Sequence, residues 1–231
     1  MTDIIFSAKN LKKQYWNMRT FEKCQALDGF DMELHRGEIY GFAGENGAGK
    51  TTLMRILTGR IRQTSGEITL FGTGHKQDLC KQRGRMGALI ETPALYLGMT
   101  AWENLEVIRR QRGLRGTGCI EEALKITGLS GTETKKVKDF SLGMKQRLGL
   151  AVALLGELEF LILDEPVNGM DPEGIVEFRE LFKKLNKEKG VTILISSHLL
   201  EELYQLATCY GFIHKGKMVQ QISAEKLNEK C

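Results

Sequence analysis

Ile39-Tyr-Gly-Phe-Ala43-Gly44-Glu45-Asn46-Gly47-Ala48-Gly49-Lys50-Thr51-Thr52 is the stretch that decides the fold. A short apolar run over residues 39–43 reads as a buried strand. It enters a glycine-rich turn with the spacing G-x-x-x-x-G-K-[ST], and a helix is expected from about Lys50 to Leu57, closed by Gly59. Glycines let backbone N–H groups turn inward without Cβ clashes, and a helix N-terminus adds a positive dipole end, so the turn is built to cradle phosphate. Lys50 is placed to reach β- and γ-phosphates, the Thr51 hydroxyl suits Mg²⁺, and Thr52 can hydrogen-bond the α-phosphate.

Working outward, strands and helices alternate, as in an α/β fold. Residues 4–15 read as a β segment. Phe30, Met32 and Leu34 alternate with Asp31 and Glu33, the pattern of a half-buried strand. Residues 67–71 and 86–90 read as further strands. Residues 100–156 instead show helical periodicity, opening on the capping box Thr100-x-x-Glu103. Strands return at 160–163 and 191–196, separated by a helix carrying Ile175, Phe178, Leu181, Phe182 and Leu185. A hairpin is expected over 210–219.

The second chemical motif is Phe160-Leu-Ile-Leu-Asp164-Glu165-Pro166. A continuous apolar strand delivers Asp164 to its C-terminal end, where ligands of open α/β sheets bind. Asp164 suits Mg²⁺. Glu165, one residue on and aimed differently, is the natural general base for an attacking water.

Between and after these motifs come Phe140-Ser141-Leu142-Gly143-Met144-Lys145-Gln146-Arg147, Asn168-Gly-Met-Asp171-Pro172 and Ser196-Ser197-His198. They resemble, in the right order, the signature, D-loop and H-loop of ABC transporter ATP-binding subunits. The signature varies over Leu142-Gly143-Met144-Lys145, where the family usually has Leu-Ser-Gly-Gly-Gln. The resemblance spans essentially the whole chain. It implies a P-loop NTPase (RecA-like) core with an antiparallel β subdomain, residues 1–91 and 157–231, and an inserted helical subdomain, residues 92–156. It implies ATP and Mg²⁺ as cofactors. It also implies a head-to-tail dimer, with the segment from Ser141 to Lys145 contacting ATP held by the opposite subunit at residues 44–52. Ser141 reads equally well as an ordinary N-cap. The resemblance makes His198 a γ-phosphate sensor, Asp171 part of the D-loop, and Tyr15 the aromatic that stacks on adenine, with Trp16 as a rival. The family normally carries Gln where this chain has Glu91. A carboxylate there can contact Mg²⁺ or its water but, when ionised, cannot donate a hydrogen bond. Glu91, Pro93, Tyr96 and the Thr100-Ala-Trp-Glu-Asn104 segment are similar to the bacitracin-resistance and lantibiotic-immunity exporters.

Composition sets the outer bounds. The chain has 231 residues, 42% hydrophobic and 27% charged, with net charge +4 and the basic residues scattered rather than massed, so no nucleic-acid partner is expected. Its longest uncharged apolar stretch, residues 148–156, falls far short of the roughly 20 residues that span a bilayer, and the start has no secretory pattern. The expected place is the cytoplasm, peripheral on the inner face of the membrane through separate permease subunits. Five dispersed cysteines without CxxC spacing are expected as reduced thiols. The rival functions are a soluble ABC ATPase acting in translation or repair, an importer subunit, and a binding module without catalysis. A single cassette, a short helical insertion, and the presence of both Glu165 and His198 argue against the first and last of these.

Overall fold

The computed structural model describes residues 3–16 and 22–229. A long hairpin, β1 (Ile4–Trp16) and β2 (Lys23–His35), leads into β3 (Ile39–Ala43) and α1 (Lys50–Leu57). Then come β4 (Ser65–Leu70), α2 (Lys76–Arg83) and β5 (Met86–Leu89). A helical stretch holds α3 (Ala101–Gln111), α4 (Gly118–Ile126), a 3₁₀ turn (Val137–Asp139) and α5 (Leu142–Ala153). The chain returns through β6 (Phe160–Asp164), α6 (Pro172–Lys189), β7 (Thr192–Ser197), α7 (Leu200–Tyr204), β8 (Cys209–His214), β9 (Lys217–Ser223) and α8 (Ala224–Asn228).

Two sheets form. One is antiparallel with order β2-β1-β4; the other has six strands in the order β5-β6-β7-β3-β8-β9, parallel except for the final hairpin. Strands β3, β6 and β7 are buried along their whole length, which explains their continuous apolar reading. Their register fixes the site. Ala43 lies opposite Ser197 and Asp164 opposite Ser196, so three strands deliver their C-terminal ends side by side.

The apolar interior falls into three clusters. One joins the antiparallel sheet and α1 to one face of the parallel sheet, a second packs α6 on the other face, and a third is drawn wholly from residues between Ala101 and Leu155. Helix α5 contributes to two of these clusters: Leu148 and Ala151 belong to the helical cluster, Leu150 and Ala153 to the sheet cluster. The contact with β5 is close enough to require glycine. A Cβ on Gly87 would sit 2.2 Å from the Ala153 carbonyl oxygen.

Most expected elements stand where the alternation placed them, and the Thr100–Glu103 capping box is present in both directions. Helix α2 adds to the expected elements: only Leu79 is buried in it, so it carries no apolar stripe to read in the sequence. Of the five cysteines, Cys231 lies outside the described residues; Cys24, Cys80, Cys119 and Cys209 are free thiols. Among the described residues no helix is long and apolar enough to cross a membrane.

Candidate functional site

Residues 44–52 close around a cavity of about 120 Å³ lined by Glu45, Asn46, Gly47, Gly49, Lys50, Thr51, Thr52 and Glu165. Of the expected nucleotide-binding residues in this loop, only Gly44 and Ala48 do not line it. They shape it from behind. A Cβ on Gly44 would meet Ile213 at 2.6 Å, and the Ala48 carbonyl accepts from Gly216 N at 2.8 Å, so the β8–β9 turn holds the loop in place. Gly49 at φ 117° is the N-cap of α1 and offers no side-chain cap, and no acidic residue stands in the first turn. The leading N–H groups of α1 are therefore left for an anion. The ammonium of Lys50 is buried, 5% exposed, and donates to Gly44 O at 2.5 Å and Glu45 O at 3.1 Å. A buried cation beside an uncapped helix start, in a loop of glycines, fits a polyphosphate.

The carboxylates form a relay at the strand ends. Asp164 is buried and accepts from two hydroxyls, Thr51 Oγ1 at 2.7 Å and Ser196 Oγ at 2.6 Å. Ser196 Oγ also accepts from Glu165 N at 3.1 Å, and Glu165 N donates to Ser196 O at 3.2 Å. Glu165 has φ +47°, a left-handed conformation that costs a non-glycine residue about 1–3 kcal/mol and turns its side chain away from that of Asp164. Its carboxylate lies 3.6 Å from Lys50 Nζ and 3.2 Å from His198 Nδ1, and Asn168 Nδ2 donates to it at 3.4 Å. Lys50, Glu165 and His198 thus converge, and Thr51 and Asp164 stand beside them. Among the described residues no cluster of three His, Cys, Asp or Glu could hold a metal alone. Thr51 and Asp164 supply one or two hard oxygens, the donor set that suits Mg²⁺ shared with phosphates and water.

The other expected residues fall outside this group. Glu91 lines a larger cleft of about 770 Å³ together with Thr51, Asp164, Glu165, Leu142 and Lys145. Its carboxylate, however, is paired with Arg55 and not with Thr51 or Asp164; the Arg55 hydrogen bond holds it below the usual carboxylate range. Glu91 is a second left-handed glutamate, at φ +59°. Ser141 is exposed and caps α5, accepting from Met144 N at 3.2 Å; within the chain, no hydrogen bond joins it to the phosphate loop among the described residues. Gly143 and Met144 are half-buried in the first turn of α5, while Leu142 is exposed. Asp171 caps α6 through Gly174 N at 3.1 Å. Tyr15 is half-buried, its hydroxyl buried without a hydrogen-bond partner among the described residues and Lys13 Nζ 5.0 Å from its ring centre; the neighbouring Trp16 is 62% exposed. Sequence reasoning gave no separate role to Ser196, Asn168 or Arg55. Their partners lie between 3 and 36 positions away.

The ABC transporter family model matches residues 27–168 of the chain. The bacitracin transport ATP-binding protein BcrA of Enterococcus faecalis is 40% identical over 228 residues, covering 99% of this chain and 72% of that protein. The lantibiotic transport ATP-binding protein SrtF of Streptococcus pyogenes is 43% identical over 212 residues, covering 91% and 87%. In structure, the chain is similar to the dimeric cassette MJ0796, with TM-score 0.86, 24% identity and coverage of 95% and 98%. It is also similar to cbiO1 of Clostridium perfringens, with TM-score 0.82, 26% identity and coverage of 99% and 92%. With the phosphate cradle, the hydroxyl–carboxylate relay and these matches together, the chain belongs to the ABC transporter family, as its ATPase subunit.

Proposed function

We propose that the chain hydrolyses Mg²⁺-ATP in a head-to-tail pair of cassettes and so drives export of a peptide antibiotic through separate membrane permease subunits. The observation that carries the catalytic part is the convergence of Lys50, Glu165 and His198 beside the Thr51–Asp164 pair. Lys50 and the N–H groups of residues 47–52 bind and orient the phosphates. Thr51 and Asp164 would hold Mg²⁺, which supplies charge neutralisation at the phosphates. Glu165 orients the attacking water and takes its proton; His198 Nδ1, hydrogen-bonded to that carboxylate, fixes its direction. The exposed Ser141, whose hydroxyl accepts from Met144 N, and the remaining leading N–H groups of α5 would meet nucleotide on a second cassette. Peptide-antibiotic export rests on the similarity to bacitracin and lantibiotic transport proteins over nine-tenths or more of the chain. Binding to the inner face of the membrane then runs through the permease, and no bilayer insertion by this subunit is needed.

The test couples assembly to substrate. Glu165→Gln protein with ATP and Mg²⁺ is expected to run as a dimer in size-exclusion chromatography, and with ADP as a monomer. The wild-type complex, co-purified with its permease in lipid vesicles, is expected to raise its ATPase rate when bacitracin or a lantibiotic is added. A dimer without stimulation by either peptide class would keep the ATPase and sink the export reading.

A further inference from the structure

Thr51 and Arg55 lie four positions apart on α1, hence on one face and about 6 Å apart along the axis. The first donates to Asp164, the second to Glu91. A single helix stripe therefore carries the proposed metal hydroxyl and, one turn on, a cation that occupies the carboxylate of Glu91. Both ends open on the same cleft, which is lined by Thr51, Glu91 and Asp164. The pair is partly open to solvent, with Arg55 34% and Glu91 53% exposed. Arg60 adds a second, more distant positive charge that also favours the ionised Glu91.

We propose that Arg55 is a positioning residue: it parks the Glu91 carboxylate one helical turn from Thr51 and yields it when a divalent cation sits on the Thr51–Asp164 pair. This rests on the reading of Glu91 as a metal-side residue. Arg55 and the cation compete for one carboxylate, so the strength of the ion pair sets how much metal is needed to draw Glu91 across. Because Glu91 stands where β5 passes toward the helical subdomain, its left-handed backbone is where such a transfer would be felt by the chain. A partly exposed pair is weak, so the expected effect is a graded adjustment of metal affinity and not an on–off switch.

The measurement is the Mn²⁺ affinity of the ATP-bound full chain, read as loss of the free Mn²⁺ paramagnetic resonance signal. Arg55→Met is expected to tighten Mn²⁺ about 2- to 5-fold, the size set by a solvent-screened ion pair. Arg55→Lys should stay near wild type. Glu91→Gln should weaken Mn²⁺, and Arg55→Met in the Glu91→Gln background should add nothing. That last arm separates competition for Glu91 from the plain removal of a positive charge, which would tighten Mn²⁺ in either background. Arg55→Gln serves if the methionine variant does not fold. Wild-type affinity in Arg55→Met with weakened binding in Glu91→Gln would overturn the proposal and leave Glu91 at the metal. Wild-type affinity in Glu91→Gln would remove both.

Discussion

Strand β6 has a carboxylate just before its first residue and two at its far end, and they are treated in opposite ways. Glu159 receives Arg85 Nε at 2.6 Å and Arg36 at 2.7 Å, and these guanidinium groups, Arg85 foremost, bring its pKa down to about 2. At the other end Asp164 and Glu165 meet hydroxyls, one histidine and one lysine, with no guanidinium among the described residues. The difference is one of saturation. Two planar cations fill the lone pairs of Glu159 and leave nothing to offer a ligand. Hydroxyls can turn, and Lys50 is shared among three oxygens, so the C-terminal carboxylates keep coordinating capacity. Both ends are well hydrogen-bonded; only one is arranged for chemistry.

The sharpest break in this comparison is Glu165→Gln. Hydrolysis should fall about 10²- to 10⁴-fold, the range for a positioned general base, while nucleotide binding persists in a filter or fluorescence assay. Near wild-type turnover would make Glu165 another Glu159. Next is Ser196→Ala. Ser196 is fully buried and serves both Asp164 Oδ1 and the Glu165 amide, so its loss should cost about 1–3 kcal/mol in chemical denaturation and also lower turnover. A stability loss with unchanged kcat would show that Ser196 only props up the strand ends.

Glu159→Gln should do the reverse, leaving ATPase intact and lowering stability by at most about 1 kcal/mol, because the Glu159 side chain is 39% exposed and screened. The smallest effect is in pH. Glu159 is depressed from an ordinary 4.5 to about 2, so its contribution is complete above pH 4.5 and is lost as pH falls toward 2. The wild-type minus Glu159→Gln stability difference should shrink across that window and stay flat from pH 5 to 8. A difference that grew on acidification would have the wrong sign.

The local motifs could be read directly because each is a run of neighbours. The glycine spacing of residues 44–51, the apolar strand before Asp164, and Thr100 with Glu103 all complete their physics within eight residues. What stayed hidden needed register or distance. Ser196 meets Asp164 only because β6 and β7 pair in parallel with those residues opposite each other, a fact no single segment contains. Arg55 and Glu91 are 36 positions apart, with β4 and α2 lying between them in the chain. Helix α2 lies on the surface with one buried residue, and such a helix leaves no periodic trace. Tyr15 shows the reverse limit. Its type suggests a stacking platform, and its half-burial beneath Lys13, next to an exposed Trp16, depends on its place opposite Cys24 in the β1–β2 pair, which the type alone does not give.

The turn between β8 and β9 bears on how the protein is made. Gly216 N holds Ala48 O, Gly216 O receives Asp28 N, and β3 is flanked by β7 and β8, so the loop at residues 44–52 is shaped by chain more than 140 residues downstream. During synthesis the loop emerges early, but its walls do not yet exist. Loop closure over that span cannot be rewarded until β7 and the final hairpin have left the ribosome. A growing chain therefore carries a complete phosphate-binding sequence long before it carries a phosphate-binding site, and nucleotide in the cell can stabilise only a chain in which β7, β8 and β9 have already been made.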